Sequence, residues 1–230
     1  MKVRLIAETS CGSLPSIYKE HETSSEETWT ECLIEFAGRN CYQSWDRPNK
    51  ETAMTRDYIR SIIKKGHLSV LEHASATLYI EDVSTAMLGQ ITRHRHLSFS
   101  VESARFADKN LFVEPEHYEQ LKATTQMAMY SAVLKTQAAY RAVVEDMEDQ
   151  GFTRRQARQE ARFILPQGTG TKIVVTGNLR AWREFLQKRL GKGADVEIRT
   201  AAGMILNELY DIAPSVFEDL YVMVGNDLVQ

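Results

Sequence analysis

Cysteine is scarce in this sequence, which narrows the chemistry to be expected. The 230 residues include three cysteines, Cys11, Cys32 and Cys41, and no C-x-x-C pair. An odd number at these spacings favours reduced thiols over a disulfide framework and indicates no zinc site. None of the three lies in the electropositive local sequence that activates a thiol. We therefore expect neither a metal centre nor a cysteine nucleophile.

Long apolar runs and a surplus of positive charge are also missing. No stretch of about 18 uncharged apolar residues occurs, and Met1–Ser10 lacks the apolar core of a signal peptide. The formal net charge is -3 at pH 7, whereas general nucleic-acid binders carry an excess of basic residues. We expect a cytoplasmic protein with no membrane or nucleic-acid partner.

The remaining composition is that of an ordinary globular protein, with 43% hydrophobic and 26% charged residues. No linker, repeat or low-complexity segment divides the chain, so we predict a single domain over residues 1–230. Hydrophobic periodicity and end signals predict the elements. The predicted strands are Val3–Glu8, Ala74–Ile80 and Thr169–Thr176; the predicted helices are Ser25–Tyr42, Thr52–Lys65, Ser84–Thr92, Tyr118–Asp149 (one helix or a pair), a short basic helix at 153–165, and Asn178–Leu190.

The most unusual stretch is Arg93–Phe106, which carries three arginines, two histidines, three serines and one glutamate. Its first residues follow a predicted helix, where cations complement the helix dipole and free carbonyls. That explanation suffices for one residue but not for the whole segment. Beyond Leu97 an extended chain places Ser103 and Arg105 on one face, where a hydroxyl, a guanidinium and backbone N–H groups can bind a phosphate.

Two arginines stand out later in the chain. Arg162 lies beside apolar residues at the end of the short basic helix, whose Arg154, Arg155 and Arg158 we expect on a solvated face. Arg189 falls within about 60° of an aromatic stripe on the last predicted helix. Arginine on such a face is rare unless paired. Arg189 therefore forms a salt bridge with an internal glutamate or binds negative charge on a ligand.

Three separated segments together resemble motifs of the flavin-dependent thymidylate synthases. The segments are Gly66-His67-x-Ser69-x-x-Glu72-His73, then Arg93-His94-Arg95 with Ser103 and Arg105, and then Ala161-Arg162-x-x-Leu165-Pro166. Without the resemblance, the first segment is a surface turn. A metal site there is disfavoured because the adjacent Glu72 and His73 point in different directions.

The chain departs from the family pattern at three positions. Val101 stands where the family often has a glutamate, with Glu102 one place later, and Phe106 replaces a tyrosine. Glu184 occupies a position that is commonly histidine or asparagine. The first departure concerns a carboxylate that faces the ligand.

The resemblance implies an enzyme that methylates dUMP to dTMP. Methylenetetrahydrofolate would be the carbon donor, and tightly bound FAD, reduced by NADPH, would carry the hydride. It also implies an α+β fold with a mixed or antiparallel sheet and long flanking helices, and a homotetramer whose sites are shared between subunits.

The resemblance also assigns site residues. Arg189 would be the catalytic residue that polarises the uracil ring. The nucleotide would be bound by six residues: Gln90, Arg93, Ser103, Arg105, Arg162 and Arg189. The flavin would be bound by seven: Cys41, Ser69, Arg93, His94, Arg95, Asn178 and Arg180. A nucleophilic Ser103 is the weaker alternative, because no adjacent base is evident.

Two competing hypotheses belong to other functional classes. A nucleic-acid-binding module built on Arg93–His96 predicts salt-dependent DNA binding without a flavin. A flavoprotein that senses or binds a nucleotide predicts ligand binding without turnover. The sequence leaves open whether carbon passes through the flavin and whether the product is a modified pyrimidine.

Overall fold

The computed structural model describes residues 1–10, 12–18, 28–47, 49–109 and 112–227, with side chains to residue 222. The strands are β1 Lys2–Glu8, β2 Ser75–Ser84, β3 Ser98–Val101 and β4 Gly170–Asn178. The helices are α1 Trp29–Tyr42, α2 Thr55–Lys64, α3 Thr85–Ile91, α4 Ala123–Asp149, α5 Arg154–Ala161, α6 Leu179–Arg189, α7 Val196–Ile212 and α8 Pro214–Asp227. Short 3₁₀ turns occur at Lys50–Thr52, Leu68–His73, Tyr118–Gln120 and Arg162–Ile164.

The four strands form one sheet in the order β1-β2-β4-β3, and every neighbouring pair is antiparallel. The predicted α+β class is confirmed, with an antiparallel sheet. β2 and β4 lie in the middle because alternate residues of both are buried, among them Leu78 and Ile80 on β2 and Val175 on β4. Trp182 of α6 packs in this core and donates its indole N–H to the Ala76 carbonyl at 3.1 Å.

The helix ends follow the capping residues. Ser84 caps α3 by accepting from Met87 N, and Asn178 caps α6 by accepting from Ala181 N at 2.8 Å. Both caps satisfy backbone N–H groups left free at a helix start. For α1 the cap is Thr28. The predicted start of this helix at Ser25 lies outside the described residues.

α4 is one continuous helix of 27 residues, about 40 Å long. It packs on α5 through a small second cluster that contains Tyr140, Val144, Ala157 and Ala161. Another face of α4 carries exposed apolar side chains, which are Met127, Tyr130 and Leu134. None of the described helices is long and apolar enough to cross a membrane.

Candidate active site

The sheet register brings two distant motifs together. Ser98 of β3 pairs with Thr176 of β4, and the strands run in opposite directions. The residues just before Ser98 therefore meet the residues just after Thr176 at one end of the sheet. These are Arg93–Leu97 on one side and the start of α6 on the other.

A groove opens between these two segments. It consists of two adjoining cavities of about 290 Å³ each, which share His96, Ala181 and Glu184 as wall residues. The first cavity is also lined by Arg93, His94, Arg95, Leu97, Lys188 and Arg189. The second is also lined by Glu72, Asn178 and Arg180. The groove therefore runs along α6 and is lined mainly by basic side chains.

Arg189 stands at the inner end of this groove. Its Nε donates to His94 Nε2 at 3.0 Å, and one terminal nitrogen donates to the Gln90 carbonyl at 3.3 Å. It forms no ion pair with a carboxylate of the described residues, so the salt-bridge alternative is not met in this part of the chain. Two of the five N–H donors of Arg189 are used, and three remain for a ligand.

His94 is held neutral in this arrangement. Its ring packs edge-on against Phe185, with ring centroids 4.9 Å apart. Burial lowers the pKa of His94, and the neighbouring Arg189 and Lys188 lower it further while Glu184 opposes them. Because Nε2 accepts from Arg189, the ring proton is on Nδ1. His94 thus fixes the direction of the Arg189 guanidinium.

The side chain of Gln90 is bound by Asp195, the residue just before α7. Its side-chain amide donates to Asp195 at 2.5 Å. A carboxylate can only accept, so the amide nitrogen faces Asp195 and the amide oxygen of Gln90 remains available as an acceptor. α3 is also held at its start, where Ser84 donates its backbone N–H to Glu197 at 2.7 Å.

Asn178 and Arg180 lie at the outer end of the groove. The side-chain oxygen of Asn178 is engaged as the α6 cap, which leaves its NH₂ group to contact a ligand. Arg180 is exposed, and its guanidinium contacts Glu72 at 2.5 Å. Arg93 and Arg95 are exposed, and neither forms an ion pair with the described residues.

Arg162 lies at a separate cavity outside the groove, with a volume of about 360 Å³. This cavity is lined by Thr85, Ala104, Lys109, Arg162, Phe163, Leu165, Pro166, Gln167 and Thr169. It shares no wall residue with the groove. The two sites nevertheless lie at the two ends of α3, because Thr85 lines the cavity and the Gln90 carbonyl binds Arg189. A helix of seven residues separates its ends by roughly 10 Å.

The predicted extended conformation of Ser103 and Arg105 is wrong. β3 ends at Val101, and the chain turns so that Phe106 N and Ala107 N both donate to the Ser103 carbonyl, at 3.1 and 2.9 Å. The Ser103 hydroxyl accepts from Arg105 N at 3.3 Å. The turn forms because Ser103 offers acceptors to the following N–H groups. Arg105 remains exposed, so its guanidinium can bind an anion.

Cys41 and Ser69 are exposed and do not line the groove. Cys41 lies in the last turn of α1, and its thiol donates to the Ala37 carbonyl at 3.4 Å. Ser69 belongs to the 3₁₀ turn Leu68–His73, which reaches the groove through Glu72. Within one subunit, these two residues are therefore not brought to the other predicted flavin ligands.

Sequence reasoning missed several buried ions. Arg158, expected on a solvated face, is buried and binds Asp108 and the Phe106 carbonyl. Lys109 is also buried. Their carboxylate partners are Asp108 for Arg158 and Glu102 for Lys109. Both lie in the loop that follows β3, and hydrophobic periodicity does not predict the path of a loop. Among the residues that the structure describes, no group of three or more His, Cys, Asp or Glu side chains is placed to hold a metal.

Comparison with known proteins gives consistent results. The family profile described as thymidylate synthase complementing protein matches residues 25–215. The flavin-dependent thymidylate synthase of Mycobacteroides abscessus is 43% identical over 231 residues, covering 95% of this chain and 89% of that protein. A probable flavin-dependent thymidylate synthase of Mycobacterium phage D29 is 43% identical over 229 residues, covering 96% of each.

A solved structure shares the fold. The crystal structure of thymidylate synthase X from Helicobacter pylori, with FAD and dUMP, superimposes with a TM-score of 0.67. The match covers 96% of this chain and 99% of the other, at 18% sequence identity. At that identity the match establishes the common fold.

Proposed function

Because the chain belongs to the family of flavin-dependent thymidylate synthases, we propose that it methylates dUMP to dTMP. Methylenetetrahydrofolate donates the carbon, which replaces the hydrogen on uracil C5, and NADPH is the source of the hydride. One observation carries this proposal. Arg189 has no carboxylate partner among the described residues, and it presents free guanidinium donors at a basic groove.

Arg189 is the catalytic residue of this proposal. To attack the electrophilic methylene carbon, uracil C5 must become electron-rich, as it does when the ring carries negative charge on its oxygens and on deprotonated N3. The guanidinium is already oriented by His94 and the Gln90 carbonyl, so it stabilises that charge without reorganising. Within its turn, the Ser103 hydroxyl contacts only the Arg105 backbone N–H and no general base. This is consistent with a binding role and not with a nucleophilic one.

The donor set of the groove fits FAD. Arg93, Arg95 and Arg180 are exposed cations suited to a pyrophosphate. Asn178 offers its NH₂ group, and neutral His94 offers its Nδ1–H. When bound and reduced, FAD supplies the hydride for the new methyl group.

The nucleotide phosphate is assigned to the cavity at the far end of α3. Arg162 lines this cavity, and the turn that bears Ser103 and Arg105 passes beside it through Ala104. Gln90 would accept from the nucleotide through its free amide oxygen.

We further propose a homotetramer in which sites are shared between subunits and Cys41 and Ser69 complete the site of a neighbouring subunit. Exposed apolar side chains support it, since Phe163 on the cavity wall is 79% exposed and Phe106 is 64% exposed. Surfaces of this kind mark contacts with another chain. A monomeric mass by light scattering with retained activity would contradict the shared site.

The decisive test is dTMP formation from dUMP, methylenetetrahydrofolate and NADPH. The protein is first stripped of flavin and then assayed with and without added FAD. Product that depends on FAD is the expected result. No product under either condition, together with no flavin binding, would contradict the proposal.

A further inference from the structure

Lys109 is a buried cation that the proposed mechanism does not use. Its exposure is 6%, and lysine is rarely buried without a partner. Its ammonium forms an ion pair with the Glu102 carboxylate and contacts the Thr171 hydroxyl at 3.4 Å. The pair is also asymmetric, because the Glu102 side chain is 28% exposed and the Lys109 side chain only 5%.

The ion pair joins the two ends of one loop. Glu102 N donates to the Lys172 carbonyl at 2.9 Å, and the Lys109 ammonium reaches Thr171. The two ends of the segment 102–109 are thereby held on adjacent residues of β4, Lys172 and Thr171. Between them lies the turn that carries Ser103 and Arg105.

Simple stabilisation is a weak explanation for this pair. Removing two charges from water costs about as much as their attraction returns, and apolar residues often replace such a pair without loss. Its location is more informative. Lys109 and Ala104 line the same cavity as Arg162, so the pair sets the position of the Ser103–Arg105 turn relative to Arg162.

We propose that Glu102 and Lys109 are positioning residues that hold Ser103 and Arg105 for the phosphate of the nucleotide. This inference rests on the proposed function. It also gives a role to the carboxylate at residue 102, which faces Lys109 across the loop.

The test compares steady-state dTMP formation at varied dUMP for Lys109→Met, Glu102→Gln and the double variant. Each single change should raise KM for dUMP roughly tenfold and leave kcat within about twofold, because ground-state binding is lost. The double variant should resemble either single one. Lys172→Met, an exposed lysine on the adjacent β4 residue, is the matched control and should leave KM unchanged.

A second background separates positioning from general stability. In a Ser103→Ala/Arg105→Ala protein, Lys109→Met should add less than about twofold to KM, since both groups it positions are gone. Equal effects in both backgrounds, or a lower melting temperature with unchanged KM, would overturn the proposal. If Lys109→Met does not fold, the double variant without either charge supplies the same comparison. A wild-type chain that forms no dTMP overturns the proposed function as well, whereas an active wild type with unaltered variants overturns only the role of this ion pair.

Discussion

Arg189 lies on the apolar face of α6, and its guanidinium keeps N–H donors that no described residue uses. It lies one turn beyond Phe185 on α6, and its guanidinium contacts His94 and the Gln90 carbonyl. The face it occupies follows from the helical period alone, so the sequence predicts it. Its partners come from a segment about 95 residues earlier, and only the sheet register shows that pairing.

We expect Arg189→Lys to lower kcat by roughly 10²–10³-fold, the usual cost of losing one donor that stabilises developing negative charge. Lysine keeps the charge but lacks the planar fork and the Nε–H that His94 accepts. Binding of dUMP and FAD, measured by titration, should persist. Gln187→Ala, exposed on the same helix, should match wild type. Equal loss of binding and turnover in Arg189→Lys would argue against the catalytic role.

The lowered pKa of His94 predicts that the folded protein loses stability at acid pH. Its pKa is lowered, first by burial and then by Arg189, so on acidification the unfolded chain takes up the proton before the folded protein does. The contribution of neutral His94 to the free energy of unfolding is therefore complete above the ordinary histidine pKa of about 6.5. It is lost as the pH falls towards the lower pKa of the folded state. A protonated ring also cannot accept from Arg189.

Urea unfolding from about pH 7.5 to about pH 5 tests this prediction. In His94→Gln the amide oxygen can accept from Arg189 without titrating, so the decline in unfolding free energy should be shallower than in wild type. Gln187→Ala, exposed on α6, removes no titratable group and should keep the wild-type slope. Identical slopes for all three proteins would contradict the assignment.

At the scale of the element, α1 contains an unexpected polar core. Glu35 is fully buried and accepts from Tyr18, Arg39 and Thr55 at 2.5–2.7 Å, with Arg47 at 3.4 Å. Burial opposes its ionisation, but the hydrogen bonds outweigh burial and keep the pKa of Glu35 below its usual value. Hydrophobic periodicity treats Glu35 and Arg39 as surface residues, so it does not predict this network.

Glu35→Gln should destabilise the protein by about 3–5 kcal/mol, the cost of breaking a buried ion pair. The amide supplies one acceptor where several donors converge, and it leaves Arg39 unpaired. Urea denaturation measures the change. Glu51→Gln, on an exposed 3₁₀ turn of the same region, should change stability by less than about 0.5 kcal/mol. A similarly small change for Glu35→Gln would mean that the network is not stabilising.

At the scale of the whole molecule, one face of α4 lacks a partner among the described residues. Met127, Tyr130 and Leu134 are 71%, 60% and 45% exposed and lie within about 60° on the helix. The predicted long helix is confirmed, since its apolar period needs only local sequence. The partner of this face belongs to another chain in the proposed tetramer, so a single sequence does not identify it. The single domain over residues 1–230 stays a prediction.

Met127→Glu should lower the mass measured by light scattering at a fixed protein concentration. The substitution is on the surface of the subunit, where it costs little, but in an interface it buries an unpaired charge. Lys135→Glu, exposed on the same helix about 80° away, is the control for charge. An unchanged mass for Met127→Glu would exclude this face from the assembly.

The central position of β4 has a consequence for synthesis. β2 can pair along its inner edge only when Gly170–Asn178 has been made, and Asn178 is residue 178 of 230. A nascent chain therefore carries the unpaired edge of β2 while the residues from Ser84 to β4 are being made. Such edges pair readily with other chains, and contacts between distant residues form slowly. The sheet can be completed only after β4 has been made, and fragments that end before β4 lack the strand that joins β2 to β3.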